Sequence, residues 1–140
     1  MNHVNVKRVV GTTFVAKANS NHWVVMDAKK EVGGSEAANS PMELVLMGLG
    51  GCTAMDVETI LKKMKVPVEQ FEIEIEADRS EEHPKVYTKI DLTFHFWGKD
   101  LPTDRLERAV ELSETKYCSV SAMLKNSVDI KTSVENHNTL

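Results

Sequence analysis

Cys52 and Cys118 are the two thiols of this chain and stand 66 positions apart. A thiolate is a strong nucleophile toward peroxide oxygen and toward disulfide sulfur, whereas a protonated, buried thiol behaves as a small hydrophobe. The separation excludes a local C-x-x-C redox motif and gives no zinc-site spacing, so no metal or other cofactor is expected. From the residues alone, the pair is either inert packing or a redox couple. Cys52 sits in an apolar helical stretch, which raises a thiol pKa unless a cation or hydrogen-bond donors oppose it. Cys118 stands where a helix begins, where free backbone amides favour a thiolate.

Other side chains carry weaker chemistry. Glu43 reads as a capping partner of Ser40, with a base or hydrogen-bond role near a thiol as the alternative. Asp56 follows Cys52 by one helical turn on the same face; it either orients a cation or is a solvated carboxylate. His22, just before a strand, either joins a site or is a surface histidine. His83, His95 and His137 lack metal-ligand spacing, and Arg8 and Arg79 read as solvated or paired cations. No Ser-His-Asp pattern, P-loop or GxGxxG is present.

The elements that position these residues are legible in part. Residues 4–27 read as short strands, with Asn19, Ser20 and Asn21 forming a turn between residues 14–18 and 23–27. A polar loop containing Gly33 and Gly34 leads to a helix from Pro41 to about Lys65, stopped by Pro67. Ser40 is its N-cap, Pro41 its first residue and Glu43 its capping-box acid. Residues 44–51 have no polar face, which predicts burial on all sides. Val57, Ile60, Leu61 and Met64 then form one apolar stripe, with Asp56, Glu58, Lys62, Lys63 and Lys65 outward. Gly48, Gly50 and Gly51 imply close approach of another backbone or helix.

Residues 71–77 alternate strictly, as do Val86, Thr88, Ile90, Leu92, Phe94 and Phe96, which predicts a hairpin with Lys85 and Lys89 opposite the glutamates. Thr103 is expected to cap a helix, followed by a break near Cys118, a short helix over 120–126 and a terminal strand over 128–134. Strands and helices do not alternate as βαβ units, so the class is α+β with an antiparallel sheet.

Bulk composition narrows the setting. A chain of 140 residues suits a single domain spanning 1–140. A formal charge of −4 gives no electrostatic case for nucleic acid or an anionic membrane as a partner. Residues 1–8 lack the apolar region of a leader, and the apolar run ending before Asp56 is too short for a bilayer of roughly 20 apolar residues. Two cysteines in this context indicate a reducing, cytoplasmic location.

The segment SPMELVLMGLGGCTAMDV at residues 40–57 resembles the first-cysteine helix of the OsmC/Ohr family, and KYCSV at 116–120 resembles its second-cysteine motif. HPKVYT at 83–88 and WVVMD at 23–27 are similar to its YhfA-like branch. The resemblance implies an OsmC-like fold, with antiparallel sheets packed around long central helices in an intertwined homodimer whose sites form at the subunit interface. It also implies a thiol-dependent redox protein similar to organic hydroperoxide reductases, working without metal or flavin. Cys52 would then be the peroxidatic nucleophile and Cys118 the resolving thiol, with a dithiol, typically a lipoyl group, as reductant.

Two departures accompany the resemblance. In the family's peroxidases a glutamate directly follows the helix-opening proline; here Met42 does, and the carboxylate comes one place later at Glu43. No arginine lies between Arg8 and Arg79, and the cations between Arg8 and the helix are Lys17, His22, Lys29 and Lys30. A non-catalytic OsmC-fold protein that binds a small hydrophobic ligand, and a thiol redox sensor, are the alternative readings.

Overall fold

The computed structural model describes residues 1–139. Among them are six strands and three α-helices: β1 (Val4–Val10), β2 (Thr13–Ala18), β3 (Trp23–Met26), α1 (Pro41–Lys63), β4 (Gln70–Arg79), β5 (Tyr87–Gly98), α2 (Thr103–Leu112), α3 (Ser119–Leu124) and β6 (Asp129–Asn138). The chain divides into two compact units, Met1–Met47 and a second beginning at Gly48.

In the first unit, β1, β2 and β3 form an antiparallel sheet with Val6 opposite Ala16 and Ala16 opposite Val24. Asn21 closes the expected turn before β3 in the left-handed region, at φ 64°, a conformation that Asn tolerates. Asp27, which follows β3, is only 2% exposed. Its carboxylate accepts from Thr12 Oγ1 at 2.6 Å, Thr13 Oγ1 at 2.8 Å, Ala28 N at 2.7 Å and Ala37 N at 3.2 Å. The Thr12 bond and its companions outweigh burial and hold the carboxyl well below the usual carboxylate range. One side chain thus ties the β1–β2 turn to the loop that precedes α1. All seven residues of β1 are exposed, as are Trp23, Val24 and Val25 of β3.

The start of α1 is the expected capping box. Ser40 N donates to Glu43 Oε1 at 2.9 Å and Glu43 N donates to Ser40 Oγ at 3.2 Å. The helix runs 23 residues and ends at Lys63, with Lys65 left-handed at φ 58° ahead of Pro67. Two expectations are corrected here. The apolar segment 44–51 is not buried on all sides: Leu49 alone is buried, while Val45 and Met47 are exposed. One chain has too few layers to cover a helix that is apolar all round. By length and composition α1 does suffice to cross a membrane, since apolar character continues past Asp56; one such helix is weak evidence, because a core helix of a soluble protein passes the same test.

In the second unit β4 and β5 form the expected hairpin, with Phe71 opposite Phe96 and Ile75 opposite Leu92. Ile90, Leu92, Phe94 and Phe96 are buried, joined by Leu106, Ala109 and Val110 of α2 and by Leu49, Val57 and Leu61 of α1. Phe71 stacks on Phe96 at 4.7 Å between ring centroids. At the start of β5 the alternation is out of phase with the expectation. Tyr87 is buried and Val86 exposed, because the register shifts between Asp78 and Arg79, and an irregularity there reverses which face a side chain takes. Lys89 stands opposite Asp78 and pairs with Asp91 of its own strand at 3.1 Å, not with the glutamates.

β6 runs parallel to β5, with Phe94 opposite Val134, so the second sheet is mixed and only its β4–β5 pair antiparallel. A crossover through α2 and α3 is long enough to return the chain in the same direction, which a tight turn cannot do. The α+β class stands. Thr103 is the first residue of α2 and not its cap; its Oγ1 accepts from Asn136 Nδ2 at 2.8 Å. The parallel register also places His137 beside Trp97, and His137 Nε2 lies 2.9 Å from His95 Nδ1. Of the three helix glycines, only Gly50 has a close neighbour: a Cβ there would meet Ile75 Cδ1 at 2.8 Å, a side chain and not a backbone.

Candidate functional site

Helical periodicity puts Cys52 and Asp56 one above the other on one face of α1, four residues apart. The second thiol arrives by a less regular route. After Leu112, α2 widens into a π-helical turn, Ser113–Tyr117, in which Cys118 N donates to Ser113 O at 2.7 Å. Cys118 then leaves the helical region (φ −71°, ψ 108°) and becomes the N-cap of α3, its Sγ accepting from Ser121 N at 3.3 Å. π-turns of this kind recur at functional sites because they displace the following residue from the helical path.

The outcome is a compact cluster. The Sγ atoms of Cys52 and Cys118 and a carboxylate oxygen of Asp56 all lie within 4.8 Å of one another. Both thiols are free. Cys118 is 2% exposed, while Cys52 and Asp56 are half-buried. Burial pushes the Cys118 thiol up to about 11, with the neighbouring Cys52 adding to the rise. The amides of Ser121 and Val120 act in the opposite direction and are outweighed. The helix start does donate to this sulfur as the sequence implied, yet desolvation decides the direction.

Asp56 is not the outward, solvated carboxylate of the sequence pattern. Ser113, fully buried, donates its Oγ hydrogen to Asp56 Oδ2 at 3.1 Å, and Thr53 Oγ1 lies 2.9 Å from Ser113 Oγ. A carboxylate only accepts and a hydroxyl has one hydrogen to give, so the direction is Thr53 to Ser113 to Asp56. This chain fixes the carboxylate beside the sulfurs. Among the described residues, no ion pair involves Asp56. Beside it an open groove of about 420 Å³ is lined by Ile60, Met64, Leu112 and Tyr117, with Lys63 on its polar side.

Of the sequence-predicted residues, Cys52 and Cys118 are brought together. Glu43 lies in the first unit and makes its hydrogen bonds within its own turn, which lower its carboxyl from the ordinary value. His22 lies in the same unit, exposed at the turn before β3. Thr53 and Ser113 were missed: a serine 57 positions from its carboxylate partner leaves no local signal.

Comparison with known proteins agrees with this architecture. The family model described as OsmC-like protein matches residues 33–133. Protein YhfA of Escherichia coli K12 is 43% identical over 130 residues, covering 93% of this chain and 94% of YhfA. A crystal structure of a hypothetical protein from Aquifex aeolicus has a TM-score of 0.82 at 32% identity, covering 99% of this chain and 98% of that one. An organic hydroperoxide resistance protein OsmC from Legionella pneumophila, described as a predicted redox protein, shares the fold with a TM-score of 0.74 at 19% identity, covering 96% of each chain. With a family model spanning most of the chain and a relative this similar along its length, the chain belongs to the OsmC-like protein family.

Proposed function

We propose that the protein is a cytoplasmic, homodimeric thiol-dependent reductase of organic hydroperoxides, with residues 1–140 acting as one OsmC-like domain. The observation that carries this reading is the approach of the Cys52 and Cys118 sulfurs to within 4.8 Å with both thiols free. Cys52, the more accessible thiol, attacks the terminal peroxide oxygen as thiolate; the O–O bond breaks, the alkoxide takes a proton and leaves as alcohol, and Cys52 becomes a sulfenic acid. Cys118 then attacks that sulfur, forming the disulfide and releasing water. A dithiol, of which a lipoyl group is one, reduces the disulfide by two exchanges and departs oxidised. The apolar groove beside Asp56 suits the organic portion of the peroxide.

Membership in a family with a hydroperoxide resistance protein among its structural neighbours supports a redox or peroxide-handling role. Glu43 and His22 enter this reading only as positioning candidates. Dimerisation is supported by the apolar surface left open: Met47 and Met55 on α1, and a β1–β3 sheet with an exposed edge strand. A second copy is the occupant the family fold favours.

The test is thiol counting by intact mass after a single addition of cumene hydroperoxide to the reduced protein. Loss of two thiols and two hydrogens per chain supports the couple. Retention of both thiols in excess peroxide removes it and favours the small-ligand reading, for which the groove is the site.

A further inference from the structure

Two sulfurs and a carboxylate that converge, with no ion pair to that carboxylate among the described residues, form a ligand set as well as a redox couple. We infer that Cys52, Cys118 and Asp56 form a binding site for a thiophilic divalent cation, Zn²⁺, with solvent completing the tetrahedron. This goes beyond the peroxidase reading and does not depend on it.

The ligand types come first. Two thiolates and one carboxylate are a combination zinc accepts, and three protein ligands plus water leave an open fourth position. Soft sulfur donors select zinc over the hard cations magnesium and calcium. The spacing is also compatible. The three donor atoms lie within 4.8 Å of one another, whereas a tetrahedron with Zn–S near 2.3 Å and Zn–O near 2.0–2.2 Å requires edges of roughly 3.5–3.8 Å. The donors need to close by about 1.3 Å at most, within reach of side-chain rotation.

The surroundings match as well. Ligating carboxylates and sulfurs in zinc sites are themselves held by hydrogen bonds. Here Thr53 and Ser113 orient Asp56, and Ser121 N donates to Cys118 Sγ. The partial exposure of Cys52 and Asp56 provides an entry path, while Cys118 anchors the buried side. Spacing rules overlook such a site because its ligands come from α1 and from the α2–α3 junction, elements brought together only by folding. Metal and peroxide would compete for the same sulfurs, so a zinc-loaded chain is protected from oxidation.

The experiment uses the full-length, reduced, metal-free protein. Co²⁺ serves as the spectroscopic probe, and Zn²⁺ affinity is measured against a chromophoric chelator. One Co²⁺ per chain should give thiolate-to-metal charge-transfer absorption and the intense visible bands of a tetrahedral ion. Asp56→Asn, which keeps an acceptor for Ser113, should weaken Zn²⁺ binding about tenfold or more. In the unaltered protein, Zn²⁺ should slow alkylation of Cys52 by about tenfold or more, a readout free of any folding defect. Absence of the thiolate band, undiminished affinity in Asp56→Asn, or Cys52 alkylation unaffected by Zn²⁺ each overturns the site. A protein that turns over peroxide yet binds no Zn²⁺ overturns this inference alone; one that binds Zn²⁺ but retains both thiols in peroxide supports it and removes the peroxidase.

Discussion

The Ser113 hydroxyl donates to the Asp56 carboxylate at 3.1 Å, joining the residue after α2 to the helical turn that carries Cys52. Ser113 is fully buried and stands between Thr53 and Asp56 in a directional relay. Replacing it strands the Thr53 hydroxyl and releases the carboxylate together.

Ser113→Ala should therefore destabilise the fold by about 1–3 kcal/mol, the cost of leaving a buried polar group unsatisfied. Urea denaturation measures it. Adding Thr53→Val should cost less than the two single changes combined, because the stranded hydroxyl is gone. Strict additivity would mean the relay is not coupled.

Cys52→Ser should bring hydroperoxide consumption down to the buffer rate, whereas Cys118→Ser should leave one sulfenic acid per chain that dimedone traps. Turnover that persists in the first variant would remove Cys52 as the nucleophile. A quantitative intramolecular disulfide is impossible in the second.

Asp27 should contribute to the acid limb of stability. Its folded carboxyl is held below its unfolded value of about 3.9, so the unfolded chain takes up the proton first as pH falls. The stabilisation is complete above that unfolded value and is lost as pH drops below it toward the folded pKa. Asp27→Asn should lower the melting temperature at pH 7 and flatten its dependence between about pH 5 and pH 2. Parallel curves for the two proteins in that range would contradict the assignment.

Met55 is 73% exposed on α1, although its neighbours Val57 and Leu61 are buried. Native mass spectrometry should find a dimer, and Met55→Asp or Met47→Asp should shift it toward monomer by placing a charge in an apolar interface. A stable monomer before any substitution would leave the exposed helix face without its proposed cover.

Leu106 is fully buried on α2, among the residues that pack the second unit. Leu106→Ala should cost about 2–5 kcal/mol in denaturant unfolding, the range for a large-to-small change in a packed core. A loss below about 1 kcal/mol would show that the α2 face is not packed in solution.

Local chemistry was readable without coordinates. The Ser40–Glu43 capping box, the Asn21 turn and the alternation of β4 depend on neighbours within a few positions, and each formed as its residues dictated. The Cys52–Asp56 pair was visible too, since four residues make one helical turn. Two misjudgements trace to one limit: apolar pattern says that a face wants cover, not what covers it. Residues 44–51 predict burial on all sides, and Asp56 reads as either a cation-orienting or a solvated carboxylate, because neither what covers the helix nor the hydroxyl that reaches Asp56 is encoded nearby.

What the sequence by itself determined is element type, helix capping and the family motifs around the two cysteines. Tertiary structure alone decided the parallel pairing of β6, the shift of register at Asp78 and the meeting of Cys52, Asp56 and Cys118. The physical reason is range. Capping and periodicity act over three or four residues, whereas convergence of residues 66 positions apart depends on how α1 meets the α2–α3 junction through Thr53, Ser113 and Asp56, a cooperative outcome no local pattern contains.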